Sequence, residues 1–243
     1  MLLGNAKGIT ETMIRTTGII ATLWLSLASV VAAGEQPVVV ELYTSQGCSS
    51  CPPADAYLRE QLAAREDVIA LALHVDYWDY IGWKDEFANP AFTQRQHSYA
   101  RAAGHRSVYT PQMIINGQDH VVGAHPNKVE KLIEAHKAVS SQVDLDVTRD
   151  GDAISITAST DLSTPMNVHV VQYRSAEKVS IKRGENAGRV LTYANIVDNW
   201  EQVRRWTGQS DLAMRVNVEG DAPVVVLIQR ENGGPIEAAA RVK

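Results

Sequence analysis

The sequence predicts an α/β domain followed by a mostly β half. Two largely apolar runs, residues 38–43 and 68–75, are typical of parallel strands buried on both faces of a sheet, and a helical spacing lies between them. Beyond residue 141 the helical spacing gives way to alternation of apolar and polar residues, which is typical of antiparallel strands. The predicted organisation is a signal segment at 1–33, an α/β domain at 34–140 and a β-rich, sandwich-like domain at 141–243.

The composition is that of a folded protein. Of the 243 residues, 45% are hydrophobic and 21% are charged, and the formal net charge is -5. These values lie far from the low hydrophobicity of disordered chains. A net negative charge also offers no basic surface for phosphate backbones, so nucleic acid is excluded as an expected partner.

The N-terminus resembles an export signal. Lys7 and Arg15 precede an apolar stretch at 18–31, which runs into the small residues Ala32 and Ala33. The stretch is short for a bilayer span, which needs about 20 residues. We expect cleavage near Ala33 and a periplasmic or secreted protein with no other membrane contact, while an uncleaved membrane anchor remains the alternative.

The elements of the α/β domain follow in the order βαβαββα. The first strand ends in a turn before Cys48, and Pro52 and Pro53 suit the first turn of a helix. After the second strand come an amphipathic helix, a hairpin with Asn116 and Gly117 as its turn, and a last helix. The ranges of these three are 90–103, 112–122 and 129–139.

In the β-rich half, alternation predicts several short strands separated by turns. One helix is also predicted at 195–206, because Val197, Trp200 and Val203 recur at a spacing of three. The strands are predicted at 143–147, 154–158, 168–173, 212–218, 224–228 and 236–242.

Cys48 and Cys51 are the chain's two cysteines, and they form a CxxC motif at a predicted helix start. Export permits a disulfide, but a bridge over two residues constrains the unfolded chain little and makes a poor staple. A helix N-terminus favours a thiolate, so the pattern indicates a redox pair with Cys48 as nucleophile and Cys51 as resolving residue. No organic cofactor is required.

Two alternatives remain for the cysteine pair. One is a structural disulfide. The other is a metal site, although two cysteines supply half of a zinc tetrahedron and no histidine stands at a regular ligand spacing to them. No metal ligand is therefore assigned; the histidines considered are His74, His97, His105, His120 and His125.

With CSSC after the first strand and Thr110-Pro111 before the hairpin, residues 37–139 resemble a thioredoxin fold. The resemblance implies a cis Pro111 packed beside Cys48, whereas an X-Pro bond judged alone is expected to be trans. Two departures from thioredoxin are Gly47, where thioredoxin has a tryptophan, and the β-rich half. Three stretches are more closely similar to a secreted bacterial family of unknown function, domain of unknown function 1223: residues 41–55, 74–79 and 184–189.

The aromatic segment 76–87 leaves the same sheet edge as the CxxC turn, so Asp76, Trp78 and Trp83 are candidates to line a substrate groove. The alternative is a self-packed loop that covers the sheet. Arg95 is either a cation that lowers a thiolate pKa or a solvated surface residue. Segment 184–189 is expected to be a plain turn, with anion or domain binding as the alternative.

Together these observations predict an exported thiol-disulfide oxidoreductase. Its substrates are expected to be proteins or small thiols, and its turnover requires a redox partner protein. The alternative function is a non-enzymatic binding or scaffold protein of the same fold, with a structural disulfide and a possible metal-handling role through Cys and His.

Overall fold

The computed structural model describes residues 1, 2, 4 and 36–242, so the predicted signal segment and its cleavage near Ala33 lie almost entirely outside the described residues. The α-helices within the described chain are α1 Pro52–Tyr57, α2 Pro90–Ala102 and α3 Pro126–Lys137. Helix α1 continues into a π-helical turn at Leu58–Leu62, and a 3₁₀ turn lies at Asp79–Ile81. The strands of the same residues are β1 Val38–Thr44, β2 Val68–His74, β3 Gln112–Ile115, β4 Asp119–Val122, β5 Val143–Asp150, β6 Ala153–Thr160, β7 Met166–Ser180, β8 Val190–Trp206, β9 Leu212–Asn217, β10 Val224–Arg230 and β11 Ile236–Val242.

The protein is a mixed α/β structure dominated by one large mixed sheet. Its eight strands lie in the order β11-β10-β7-β8-β2-β1-β3-β4. β1 pairs in parallel with β2 and antiparallel with β3. Every side chain of β1 and β2 is buried, which explains their largely apolar runs. The first half of the chain follows the predicted order β1-α1-β2-α2-β3-β4-α3.

The β-rich half does not fold as a sheet system of its own. Strands β7, β8, β10 and β11 extend the large sheet across the predicted boundary at residue 141, while β5, β6 and β9 form a second sheet. The junction is a parallel contact between Ala72 of β2 and Ile196 of β8. Asn195 adds a hydrogen bond from its side-chain Nδ2 to the Ala70 carbonyl at 2.8 Å. The two predicted halves therefore share one sheet.

The predicted helix at 195–206 is wrong, because these residues belong to β8. The pairing of β7 with β8 shifts register twice, and Asp198 and Val203 are the extra residues on the β8 side. Each extra residue interrupts the alternation of a strand. The resulting spacing of three between Val197, Trp200 and Val203 imitates a helix in the sequence.

Apolar clusters lie on both faces of the large sheet. Helices α1 and α3 pack on one face of β1 and β2, and α2 packs on the other. The second sheet packs on the part of the large sheet formed by β7 and β10. Since β1 and β2 are parallel, their carboxyl ends lie at one edge, where the CxxC turn and the aromatic segment both begin. Within residues 36–242, no helix has the length and apolar character to cross a bilayer.

Candidate active site

The CxxC turn joins β1 to α1, and its two cysteines form a disulfide. Backbone hydrogen bonds from Cys48 N to Ser45 O and from Cys51 N to Cys48 O close the turn at 3.1 and 3.2 Å. Cys51 is the N-cap residue of α1, and Pro52 and Pro53 occupy the first helical positions. Because proline has no N–H, those two positions lack the donors that were expected to stabilise a thiolate.

The disulfide is buried in this structure. Cys48 is 1% exposed and Cys51 is fully buried, whereas Ser49 and Ser50 between them face solvent. The Ser50 hydroxyl lies 3.4 Å from the Cys48 sulfur. Another molecule can therefore reach Cys48 only if the groups that cover it move.

The aromatic segment covers one side of the turn. A Cβ added at Gly47 would lie 3.1 Å from the Cβ of Trp78 and 3.3 Å from the Trp78 carbonyl oxygen, so a larger side chain here would displace the aromatic segment. Trp78 donates from Nε1 to the Thr110 hydroxyl at 2.8 Å, and Trp83 donates to the side chain of Gln46 at 2.7 Å. Trp83 thus binds a residue that precedes the CxxC motif by two positions, and Trp78 binds the residue before Pro111.

The Thr110–Pro111 peptide bond is cis. Gln112, the next residue, is paired with Tyr43 at the end of β1, so Pro111 lies at the sheet edge that carries the CxxC turn. Thr110 is held there by Trp78.

Asp76, the third groove candidate, faces α2. Its carboxylate accepts a hydrogen bond from the Thr93 hydroxyl at 2.6 Å. Asp79 accepts from the backbone N–H of Asp85 at 3.0 Å, which closes the segment on itself. Trp78 and Trp83 therefore both lie beside the turn, while Asp76 is hydrogen-bonded to α2.

The β-rich half also reaches the disulfide turn, through Asn186. Its Nδ2 donates to the backbone carbonyls of Gln46 and Cys48 at 2.9 and 3.0 Å. Arg189 fixes the other end of the Asn186 amide with a hydrogen bond of 2.8 Å. Segment 184–189 is therefore more than a plain turn, since its Asn186 side chain is hydrogen-bonded to the backbone of Cys48.

A group of buried polar side chains lies behind the turn, and we call Asp55, His74, Asp85 and Tyr193 the disulfide cluster. His74 Nδ1 lies 2.7 Å from a carboxylate oxygen of Asp85, and its ring packs edge-on against Tyr193 with centroids 4.9 Å apart. Asp85 also accepts from the backbone N–H of Gln46 at 2.8 Å, which ties the cluster to the CxxC turn. Asp55 lies four residues after Cys51, one helical turn along α1.

Burial shifts the acid–base behaviour of this cluster. Loss of solvent raises the pKa of Asp55 to about 7, although His74 and a 2.7 Å hydrogen bond from Thr44 oppose the shift. Burial also acts to raise the pKa of Asp85, but His74 and the backbone N–H groups of Gln46 and Phe87 together outweigh it, and the pKa is lowered. Burial raises the pKa of Tyr193, with the two aspartates adding to the effect. Asp55 can therefore hold or release a proton near neutral pH.

The candidate metal ligands do not converge. Within the described residues no group of three or more His, Cys, Asp or Glu side chains is placed to hold a metal ion. His105 and His120 pack against each other with centroids 5.1 Å apart, and His97 and His125 are exposed. His74 belongs to the disulfide cluster.

Arg95 is neither a solvated residue nor a free cation. Its Nε and Nη2 each lie 2.8 Å from a carboxylate oxygen of Glu41, which is fully buried in β1. Arg95 also contacts the Tyr99 hydroxyl at 2.7 Å and the Gln229 side chain at 3.0 Å. We call Glu41, Arg95, Tyr99 and Gln229 the sheet-centre cluster.

Fold and site together define a mixed α/β protein with a covered CxxC disulfide at the edge of its large sheet. The chain belongs to the family described as "Protein of unknown function (DUF1223)", whose model matches residues 39–229. This confirms the similarity to domain of unknown function 1223 that was drawn from residues 41–55, 74–79 and 184–189.

Solved structures of similar fold exist. One is the crystal structure of protein AGR_C_4864 from Agrobacterium tumefaciens, which is 33% identical; the match covers 87% of this chain and 96% of that one, with a TM-score of 0.74. A second is HBP35 of Porphyromonas gingivalis, at 15% identity, 86% and 75% coverage and a TM-score of 0.55, a likeness of fold alone. No curated protein matches this chain.

Proposed function

We propose that this protein is an exported thiol-disulfide oxidoreductase with a thioredoxin-like domain at 34–140. The strand order β2-β1-β3-β4 within the large sheet, and the βαβαββα order along the chain, support that fold. The observation that carries the function is a Cys48–Cys51 disulfide that adjoins a buried cluster of titratable groups. The β-rich half at 141–243 contributes the Asn186 contact to the site.

The reaction is disulfide exchange. In the reduced protein the Cys48 thiolate attacks one sulfur of a substrate disulfide, which forms a mixed disulfide and releases one substrate thiolate. The Cys51 thiolate then attacks the Cys48 sulfur, which closes the internal disulfide and releases the second substrate thiolate. The substrate gains two electrons and two protons, and a redox partner protein restores the reduced pair. Run in the opposite direction, the same steps oxidise a dithiol.

Asp55 is the proton acceptor for the Cys51 thiol in this scheme. Cys51 is fully buried in the disulfide form, so in this scheme the proton of its thiol passes to a neighbouring side chain. Asp55 sits one helical turn further on, and its Oδ2 has no hydrogen-bond partner within the described part of the chain. A pKa of about 7 allows it to accept a proton when Cys51 attacks and to return it when Cys51 leaves.

The site works in an oxidising compartment in this proposal. The N-terminal segment directs the chain to the periplasm or outside the cell, and the substrates are protein or small thiols and disulfides. Nucleic acid is not a partner, and the membrane is touched by the signal segment alone.

The deciding measurement is the reduction potential of the Cys48–Cys51 pair, obtained by equilibrating the purified protein in glutathione and dithiothreitol buffers. We expect a value between about -270 and -120 mV, the range of active pairs. A potential below about -300 mV identifies a structural disulfide and overturns the proposal.

The second candidate is a scaffold protein in which the disulfide is structural, and the burial of Cys48 favours it. A trapping experiment separates the two, because Cys51→Ser leaves Cys48 free to retain a substrate as a mixed disulfide. Exported Cys51→Ser protein should carry trapped partners that the Cys48→Ser/Cys51→Ser control lacks. If neither variant carries a trapped partner and the reduction potential lies below about -300 mV, the protein is a scaffold with a structural disulfide.

A further inference from the structure

The connection between β7 and β8, residues 181–189, lies against the CxxC turn and carries an excess of positive charge; we call it the basic segment. It contains Lys182, Arg183 and Arg189, and its one carboxylate is Glu185. All four residues are exposed. The full chain has a formal net charge of -5, so the basic segment has the opposite sign to the molecule as a whole.

Two sets of contacts fix the basic segment beside the disulfide. Asn186 donates from Nδ2 to the carbonyl oxygens of Gln46 and Cys48 at 2.9 and 3.0 Å. Gly184, at a φ of 74°, comes so close to the aromatic segment that an added Cβ would lie 3.2 Å from the Cβ of Trp83. The basic segment is therefore held at the same sheet edge as the disulfide.

Arg189 is the cation whose position these contacts define. Its Nη1 donates to the Asn186 Oδ1 at 2.8 Å, so one amide group separates the guanidinium from the Cys48 carbonyl oxygen. That amide is neutral, and the Arg189 side chain forms no ion pair within residues 36–242. Because Arg189 is also exposed, its charge is available to an anion that arrives from solvent.

The CxxC turn itself adds no charge that opposes Arg189. The side of the Cys48 sulfur that faces Ser50 lies close to solvent, because Ser50 is exposed and its hydroxyl is 3.4 Å from the sulfur. Neither of the two serines between the cysteines is charged. The aspartates behind the turn, Asp55 and Asp85, are buried.

We propose that Arg189 selects substrates that carry a carboxylate close to the reacting sulfur, an inference that rests on the disulfide exchange proposed above. The carboxylate binds the Arg189 guanidinium through charge-assisted hydrogen bonds while the Cys48 thiolate attacks. Arg189 determines specificity and is not catalytic, because it contacts the carboxylate and not the reacting sulfur. A small thiol acid and a peptide with an acidic residue beside its cysteine share this chemistry.

The test uses the Cys51→Ser protein, in which Cys48 is the one thiol, and three mixed disulfides of pyridine-2-thiol. Their other halves are 3-mercaptopropionate, 2-mercaptoethanol and cysteamine, which place a carboxylate, a hydroxyl and an ammonium group on the same two-carbon chain. The Cys48 thiolate attacks the sulfur on that chain and forms a new disulfide. The S–S bond of the probe breaks, and the pyridine sulfur leaves with the electron pair and takes up a proton.

The absorbance of the released pyridine-2-thione gives each rate. Dividing it by the rate of the same probe with free 2-mercaptoethanol removes the intrinsic reactivity of the probe. At about 10 mM ionic strength we expect the carboxylate probe to react about tenfold faster than the ammonium probe, since one exposed charge pair changes a rate by up to about fivefold and the two probes differ in sign. Sodium chloride at about 0.5 M should bring this ratio close to one, because it shortens the screening distance.

Substitutions of Arg189 test whether this side chain makes the selection. Arg189→Gln should lower the ratio about fivefold, and Arg189→Lys, which keeps the charge, should retain most of it. Arg204→Gln is the matched control, because Arg204 is exposed near the far end of β8 and its loss changes the net charge equally. If Arg189→Gln merely loosens the basic segment, all three rates rise together and the ratio does not change.

Peptides distinguish the two sources of the carboxylate. Three short peptides that differ in having Glu, Gln or Lys directly after a cysteine carry the same pyridyl disulfide. Discrimination among the peptides that Arg189→Gln abolishes identifies acidic protein segments as substrates, whereas discrimination among the small probes alone identifies small thiol acids.

The outcomes separate this inference from the function on which it rests. A ratio near one at low salt, a ratio that Arg189→Gln leaves unchanged, or an equal fall in Arg204→Gln overturns the selection by Arg189 and leaves disulfide exchange standing. A Cys48 thiol that reacts with none of the three probes overturns both.

Discussion

The two buried polar clusters of the large sheet differ in how fully their atoms are paired. In the sheet-centre cluster, Glu41 accepts hydrogen bonds from Tyr43, Arg95 and Tyr99, and Gln229 donates to Tyr99 at 2.8 Å. In the disulfide cluster several buried atoms have no partner within the described residues: Gln46 Nε2 beside it, Asp55 Oδ2, His74 Nε2 and Tyr193 Oη.

This difference in hydrogen bonding indicates different roles for the two clusters. A buried charge pair whose carboxylate oxygens both accept hydrogen bonds holds elements together, here β1, α2 and β10. Buried groups that keep spare donors and acceptors cost free energy, and they lie beside the one disulfide of the described chain. The unpaired atoms of the disulfide cluster therefore support the proton transfer proposed above, whereas both carboxylate oxygens of Glu41 in the sheet-centre cluster accept hydrogen bonds.

The largest effect is expected at Glu41. Glu41→Gln keeps the shape of the side chain but leaves the Arg95 charge buried and unpaired, so the free energy of unfolding should fall by about 3–5 kcal/mol. Urea unfolding followed by circular dichroism measures it. Glu60→Gln is the matched control, because Glu60 is 57% exposed and its pair with Arg59 should contribute little. Equal effects at the two positions would show that the sheet-centre cluster is not structural.

The next effect depends on pH and concerns Asp55. Its pKa rises from 3.8 in the unfolded chain to about 7 in the folded one, so between these values the folded state binds more protons. Stability therefore falls as pH rises from 4 to 7 and levels off above it, by on the order of 4 kcal/mol in total. Asp55→Asn removes this slope, and at pH 8 the variant should be more stable than the native protein.

Urea midpoints of the oxidised protein between pH 4 and 8 check that expectation. Asp150→Asn, at a position 86% exposed, is the control and should reproduce the native profile. If Asp55→Asn and the native protein give parallel profiles, Asp55 is ionised at neutral pH. The disulfide cluster would then resemble the sheet-centre cluster in being electrostatically satisfied.

Local sequence patterns predicted many of the strands and turns. They did not predict contacts between residues that are distant in the sequence. The buried strands β1 and β2 follow from largely apolar runs, and the hairpin turn follows from Asn116 and Gly117, whose φ angles of 45° and 68° are both positive. By contrast, the extra residues in β8 disguised a strand as a helix, because a bulge has no simple periodic signature.

For the site, too, the sequence predicted the local motif but not the long-range contacts. The CxxC motif is local and identified the disulfide. Partners such as Glu41 for Arg95 and Asp85 for His74 are set by how strands and loops meet, and single-sequence spacing does not encode that. The Asn186 contact spans 138 residues to Cys48. Segment 184–189 was one of three stretches resembling the family, and that signal pointed to the contact although a plain turn was expected there.

The smallest effect is expected at Asn186, where the β-rich half contacts the CxxC turn. Asn186→Ala removes the hydrogen bonds to the carbonyls of Gln46 and Cys48, so stability should fall by about 1–2 kcal/mol. The cover over Cys48 should also open more often, and dithiothreitol should reduce the disulfide about tenfold faster, since local opening that costs about 1.4 kcal/mol less is ten times more populated. Asn199→Ala is the control, because Asn199 is exposed on β8. Quenched thiol labelling measures the rate of disulfide reduction in each variant. An unchanged rate in Asn186→Ala would mean that Cys48 is reached from the side of Trp78, and the aromatic segment, rather than segment 184–189, would be the part that moves.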